Sequence, residues 1–216
     1  MEIYLTKLNY KIIKSWEEPY PDCDKNKIRP KKFCVMQLEN NKLAFGKIDI
    51  DFKFINHEAK ILTYLKNCSC VPQLIYSNSS ILITEYIEGK LLIEITKTVS
   101  FFQQIKIIIQ IINSVIQIHK QKIIHSDIRL WNFILGKNNK LYLIDFEYAY
   151  STNECNKLNE ILKNHHGDKK LKGKLDDWTD AFYCICCILI NSKSKTFSII
   201  LYPLFYFIYS LLKKIK

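Results

Sequence analysis

In the first ninety residues, short β-branched and aromatic runs alternate with polar punctuation. FCVMQL (33–38), KLAFGKI (42–48), PQLIYS (72–77) and ILITEYI (81–87) are bounded by Asn, Ser, Asp and Pro, and each reads as a strand. Between the second and third of these, FKFINHEAKILTYL (52–65) carries apolar residues at mixed spacings of three and four, the pattern of a helix packed on a sheet. The character changes near residue 90. From 101 to 120 the chain is Ile-dense, with Gln, Lys and Asn on a narrow strip, which predicts a mostly buried helix. No repeat and no Gly- or Ser-rich linker interrupts it. One domain over 1–216 is expected, with a β-rich lobe over 1–88 and a helical lobe over 89–216.

The stretch 123–150, IIHSDIRLWNFILGKNNKLYLIDFEYAY, sets polar side chains between apolar runs. Ile123 and Ile124 precede a polar loop, and FIL with LYLI forms a hairpin around Gly136, Lys137, Asn138 and Asn139. The loop carries His125, Asp127, Arg129 and Asn132, and the second hairpin strand runs into Asp145. Folding the hairpin back sets Asn132 and Asp145 side by side at one rim, with Asp127 five residues before Asn132. Hard divalent cations such as magnesium take oxygen donors of this kind and commonly bind phosphates as well.

Composition narrows the choice of class. With 48% hydrophobic and 25% charged residues in 216, disorder and collagen are excluded. A chain of this size buries about 70% of its unfolded surface, so a core needs neither metal nor disulfide. The net charge of +11 favours anionic partners. Aromatic residues are not interleaved with the basic runs as a single-strand groove requires, so no specific nucleic-acid partner is expected. Eight cysteines include C-x-C at 68–70 and C-x-C-C at 184–187; local bridges are geometrically disfavoured, and the thiols read as small core hydrophobes rather than a zinc site. The first eighteen residues contain no apolar secretory run, which gives an intracellular, cytoplasmic expectation. Residues 197–212 are uncharged but fewer than the ~20 a membrane helix usually needs, and they contain Pro203. A buried C-terminal helix is preferred there to a tail anchor, although the final KKIK resembles a dilysine retrieval signal.

The order H-x-D-x-x-x-x-N at 125–132, followed thirteen residues later by D-F at 145–146, resembles the catalytic loop and metal motif of the protein-kinase-like superfamily. The resemblance implies an α+β, bilobal protein-kinase-like fold with a small β-rich N-lobe and a mostly helical C-lobe, truncated at the C-terminus. It implies ATP and Mg2+ as cofactors. Asp127 would take or orient the proton of an acceptor hydroxyl, and Asn132 and Asp145 would hold the metal. Arg129 would neutralise charge on the transferred phosphoryl group, while His125 packs and hydrogen-bonds. Lys47 and Glu58 resemble the ion pair that positions the α and β phosphates, against the alternative of two solvent-facing charges. ILITEYIEG resembles the strand and hinge joining the lobes. Backbone groups of Glu85, Tyr86 and Ile87 would then bond the adenine edge, with Thr84 at the back of that pocket and Gly89 turning the chain.

The sequence also departs from the superfamily pattern. No Gly precedes Gly46, so a Gly-rich phosphate loop is missing, and PYPDCDKNKIRPKK (19–32) offers only Lys25, Lys27, Arg29, Lys31 and Lys32. D-F-E replaces D-F-G, and IDFEYA resembles choline kinases and related phosphotransferases of small alcohols and antibiotics. LDDWTDAFYCICCILIN (175–191) instead resembles the central C-lobe helix of casein-kinase-like protein kinases, its acidic residues suiting a positive helix N-terminus. The loop at 157–174 is basic enough to dock an acidic substrate, although a solvated loop is the preferred reading. The expectation is an ATP- and magnesium-dependent kinase acting on Ser or Thr of a protein. The alternatives are a phosphotransferase for a choline-, sugar- or aminoglycoside-like alcohol, and a pseudokinase scaffold.

Overall fold

The computed structural model describes residues 10–20, 29–48, 52–154 and 174–190. The basic stretch 21–28, most of the 157–174 loop and the apolar run 197–212 lie outside the described residues. The chain divides into two compact units, Met1–Ile87 and Glu88–Lys216.

The first unit is an antiparallel sheet with one helix. Strands β1 (Tyr10–Tyr20), β2 (Arg29–Leu38), β3 (Leu43–Ile48), β4 (Leu74–Ser77) and β5 (Ile81–Glu85) are ordered β1-β2-β3-β5-β4. Because side chains alternate along a strand, β3 sends Ala44 and Gly46 to one face and Phe45 and Lys47 to the other. Ala44 packs there in a buried cluster with Cys34, Met36, Ile81 and Ile83. Met36, Ile81 and Ile83 each contribute about 1.5–3 kcal/mol by leaving water. The face is tight at Gly46, where an added Cβ would stand 2.6 Å from Cys34 Sγ and 2.7 Å from Met36 Cε. On the opposite face Trp16, Phe33 and Phe45 stack with ring centroids 5.7–6.1 Å apart. Helix α1 (Phe52–Tyr64) buries Ile55, Ala59 and Leu62 and packs on β4 and β5. Strand β1 falls in a stretch the hydrophobic pattern did not mark as a strand. Its pairing with β2 slips between Ile12 and Lys14, which breaks the period-two alternation, and Ile13 is left exposed.

The second unit opens with β6 (Gly89–Leu91) and the short helix α2 (Leu92–Ile95). Gly89 does not turn the chain as expected from sequence; it pairs with Gly136 in the sheet β6-β8-β9, formed with β8 (Phe133–Gly136) and β9 (Leu141–Leu143). A Cβ on Gly89 would sit 2.3 Å from the Leu135 carbonyl oxygen, so only glycine allows that approach. Helix α3 (Phe101–Lys120) begins where the Ser100 hydroxyl accepts from Gln103 N–H at 3.4 Å. It buries Ile107, Ile108, Ile111, Val115 and Ile118 on one face, whereas Phe102 and Ile109 are exposed, so α3 is amphipathic rather than buried around most of its circumference. The Gln110 side chain ties α3 to the hairpin, accepting from Leu141 N–H at 2.8 Å and donating to the Asn139 carbonyl at 3.1 Å. Strand β7 (Ile123–Ile124) pairs with β10 (Tyr150–Ser151), and α4 (Lys174–Ile190) packs on α3.

Candidate functional site

The segment between β7 and β8 is fixed from three directions. Its burial alternates, with Ile128, Leu130 and Asn132 buried and Arg129 and Trp131 exposed, so apolar anchors hold every second residue. A 3-10 turn at Leu130–Asn132 then feeds β8. From α4, Asp177, fully buried, reaches the start of the loop: Oδ2 accepts from His125 N–H at 2.8 Å and Oδ1 from Ser126 N–H at 2.9 Å. His119 Nε2, on the last turn of α3, stands 2.9 Å from the same Oδ2, with the Trp178 ring edge-on to the His119 imidazole. The Cys184 thiol, two turns further along the same face of α4, points at the Ile128 carbonyl at 3.8 Å. Burial, then the neighbouring Cys187, pushes that thiol up to about 12 from an ordinary 9.0, so it remains protonated.

His125 is a structural residue in this arrangement. Its Nε2 lies 3.1 Å from the Ile144 carbonyl, which can only accept, and Nδ1 accepts from Asp127 N–H at 3.3 Å. Those two partners require the neutral imidazole with its proton on Nε2. The ring also meets Phe146 edge-on, with centroids 4.7 Å apart, and so joins the catalytic-type loop to the segment after β9.

Asp127 and Asn132 are in direct contact. Asn132 Nδ2 donates to the Asp127 carbonyl at 2.8 Å and to its Oδ2 at 2.9 Å, while Arg129 Nε meets Oδ1 at 2.7 Å. Both Asn132 amide hydrogens are therefore committed, which turns its Oδ1 away from Asp127 as the atom available to a cation. Each Asp127 oxygen retains a further lone pair. Arg129 holds Asp127 through its Nε, and the terminal N–H groups of its guanidinium extend beyond that contact. Asp145 lies at the same rim as Asn132, because Ile144 N–H donates to the Asn132 carbonyl at 2.9 Å. Its backbone is left-handed at φ 64°, as is Ser126 at φ 67°; such conformations persist in non-glycine residues only where surrounding contacts impose them. A carboxylate oxygen of buried Glu147 lies within 4.8 Å of one on Asp145. The donor set is carboxylate and amide oxygen, the chemistry a magnesium ion takes.

In the first unit, Lys47 Nζ meets Glu58 Oε2 at 2.8 Å with both side chains only 6% exposed. They are a buried ion pair and not two solvent-facing charges. Of the hinge residues, Glu85 N–H donates to the Gln73 carbonyl at 2.8 Å and Tyr86 N–H to the Leu43 carbonyl at 3.4 Å. Those two amides are spent within the sheet, so of the backbone groups expected at the adenine edge the carbonyls of Glu85 and Tyr86 and the Ile87 N–H are the ones that could serve it. Thr84 is buried, opposite Phe45 on β3. Sequence reasoning missed the part played by Asp177. Its acidic character at a helix start suggested a favourable dipole interaction, whereas its partners stand 51 and 52 residues earlier in the chain.

Together these features define a protein-kinase-like fold. It is similar to that of the kinase of Cydia pomonella granulovirus, with a TM-score of 0.62 at 18% identity, covering 83% of this chain and 67% of that one. A RIO domain profile matches residues 6–164, and the chain belongs to that family. It is 27% identical over 151 residues to serine/threonine-protein kinase 1 of Heliothis zea nuclear polyhedrosis virus, covering 65% of this chain and 55% of that protein. It is 25% identical over 124 residues to the serine/threonine-protein kinase dst4 of Dictyostelium discoideum, covering 52% of this chain and 26% of that protein. The chain thus spans about half the length of the first relative and about a quarter of the second.

Proposed function

We propose that this chain is a kinase that transfers the γ-phosphate of ATP to a Ser or Thr hydroxyl of a protein, with magnesium as cofactor. The contact between Asn132 Nδ2 and the Asp127 carboxylate carries the reading, because it fixes the carboxylate and orients the amide oxygen in one stroke. Asp127 accepts the proton of the acceptor hydroxyl through the lone pairs that Asn132 and Arg129 leave open, a role worth about 10²–10⁴-fold in rate. Arg129, held by its Nε, keeps the carboxylate in place and offers its remaining N–H groups to developing negative charge. Asn132 and Asp145 hold the metal, which supplies neutralisation of phosphate charge when bound. Lys47, positioned by Glu58, takes the α and β phosphates, and Ile87 N–H takes the adenine edge. The protein acceptor is supported by the chain's similarity to two serine/threonine-protein kinases.

Labelled ATP and magnesium, presented with Ser and Thr peptides and separately with choline, sugar and aminoglycoside acceptors, test this directly. Transfer to peptides that Asp127→Ala lowers at least a hundredfold is expected. Transfer to small alcohols alone would move the protein to the other acceptor class, and ATP binding without any transfer would make it a scaffold.

A further inference from the structure

The outward side of α3 carries no part of the site above. Its exposed positions are Phe102, Lys106, Ile109, Asn113, Ile116 and Lys120. They recur at steps of four and three residues, which places them in one strip along a 3.6-residue helix. Phe102 is 77% exposed, Ile109 51% and Ile116 36%, and half-buried Ile105 and Ile112 widen the apolar part of the strip. At 1.5 Å per residue the strip runs for about 27 Å. The Phe101 and Phe102 rings meet edge-on at its N-terminal end, with centroids 5.8 Å apart. The opposite face of α3 is buried and packs against α4, β7 and β9. Charge on the strip has one sign. Between Glu94 and Asp127 the chain holds no acidic residue, whereas Lys97, Lys106, Lys120 and Lys122 lie there and are exposed.

We infer that this strip docks the protein on a membrane surface rich in anionic lipid, with Phe102, Ile109 and Ile116 inserted at the headgroup boundary and Lys106 and Lys120 against the lipid phosphates. Charge complementarity selects this occupant. An anionic leaflet attracts each lysine near it by about fivefold in affinity, and lysine stems lie along apolar surface while their ammonium groups reach polar surroundings. A second copy of the chain would bring a like-charged strip against this one, each chain carrying +11. Apolar spacing from 102 to 116 covers about two heptads, fewer than the roughly three to four that mark a paired helix. By length and composition α3 could cross a bilayer, but its inner face belongs to the core, so the helix lies in the interface plane and does not span it.

The test is co-sedimentation of the full chain with vesicles of phosphatidylcholine alone and of phosphatidylcholine with about one-third phosphatidylserine. Binding to the mixed vesicles is expected to be at least tenfold tighter and to weaken as salt is added. Phe102→Ser and Ile109→Glu are each expected to lower that affinity at least tenfold. Lys106→Gln combined with Lys120→Gln is expected to remove most of the preference for the anionic vesicles. Equal binding to both vesicle types, or none to either, overturns the inference. So does full affinity in both Phe102→Ser and Ile109→Glu, which would put the lipid contact elsewhere in the chain. A wild-type dimer on size exclusion that Ile109→Glu converts to monomer, without vesicle binding, would give the strip to a second copy and also overturn it. Circular dichroism melts check that each variant is folded, and Phe102→Ser, whose ring already stands mostly in water, decides the matter even if Ile109→Glu does not fold. None of these readouts depends on phosphoryl transfer, so they leave the kinase reading untouched.

Discussion

Replacing Asp177 with Ala removes one side chain and three hydrogen-bond acceptor contacts at once. The His125 and Ser126 amides lose partners at 2.8 and 2.9 Å, and His119 Nε2 loses one at 2.9 Å, at a carboxylate with no solvent exposure. A buried donor left unsatisfied costs about 1–3 kcal/mol, and bonds to a charged acceptor lie at the upper end. Two orphaned amides and one imidazole therefore sum to about 4 kcal/mol, allowing for partial relaxation. Against a typical total of about 5–15 kcal/mol, that is a large fraction. At about 2–4 °C per kcal/mol for a chain of this size, Tm falls by about 8–16 °C. Asp177→Asn keeps one acceptor oxygen but turns an amide donor toward other donors, and is expected to lose about half as much. Urea unfolding followed by circular dichroism measures the change, and amide hydrogen exchange localises it to residues 125 and 126. A loss below 1 kcal/mol, or unchanged protection of those two amides, would show that α4 does not hold the loop.

Two further outcomes follow from buried groups. Lys47→Met removes the ammonium that meets the buried Glu58 carboxylate and is expected to cost about 3–5 kcal/mol, whereas adding Glu58→Leu recovers most of it; a double variant as unstable as the single one would contradict the buried pair. Cys184, pushed up to about 12 from 9.0, keeps its proton in the folded state at pH values where the unfolded thiol ionises. Its contribution to stability is complete below about pH 9 and is lost as pH rises toward 12. Resistance of folded Cys184 to iodoacetamide at pH 9, with rapid labelling in urea, checks the sign.

Much of the fold was legible because it is written in local pattern. The Ile spacing marked α3 at its observed limits, 101–120, and the acidic start with its apolar run marked α4 to within one residue. The HxDxxxxN spacing announced Asp127 and Asn132 because five residues of loop ending in a turn bring them into contact. What escaped depended on distant partners. Strand β1 has a register slip that spoils its alternation, and β6 is three residues long and exists through its backbone pairing with β8. The spent amides of Glu85 and Tyr86 are set by Gln73 and Leu43, and the hold of Asp177 on the loop spans some fifty residues; no local pattern encodes either.

Calorimetric titration of the full chain with ATP, with and without magnesium and repeated on Asp145→Asn, tests the proposed metal and nucleotide chemistry most directly. The wild type should bind ATP at least tenfold more tightly with magnesium present, and Asp145→Asn should lose that enhancement while retaining its folded circular dichroism spectrum. Equal affinity with and without magnesium, or an enhancement that survives in Asp145→Asn, would contradict the assignment of Asp145 to the metal.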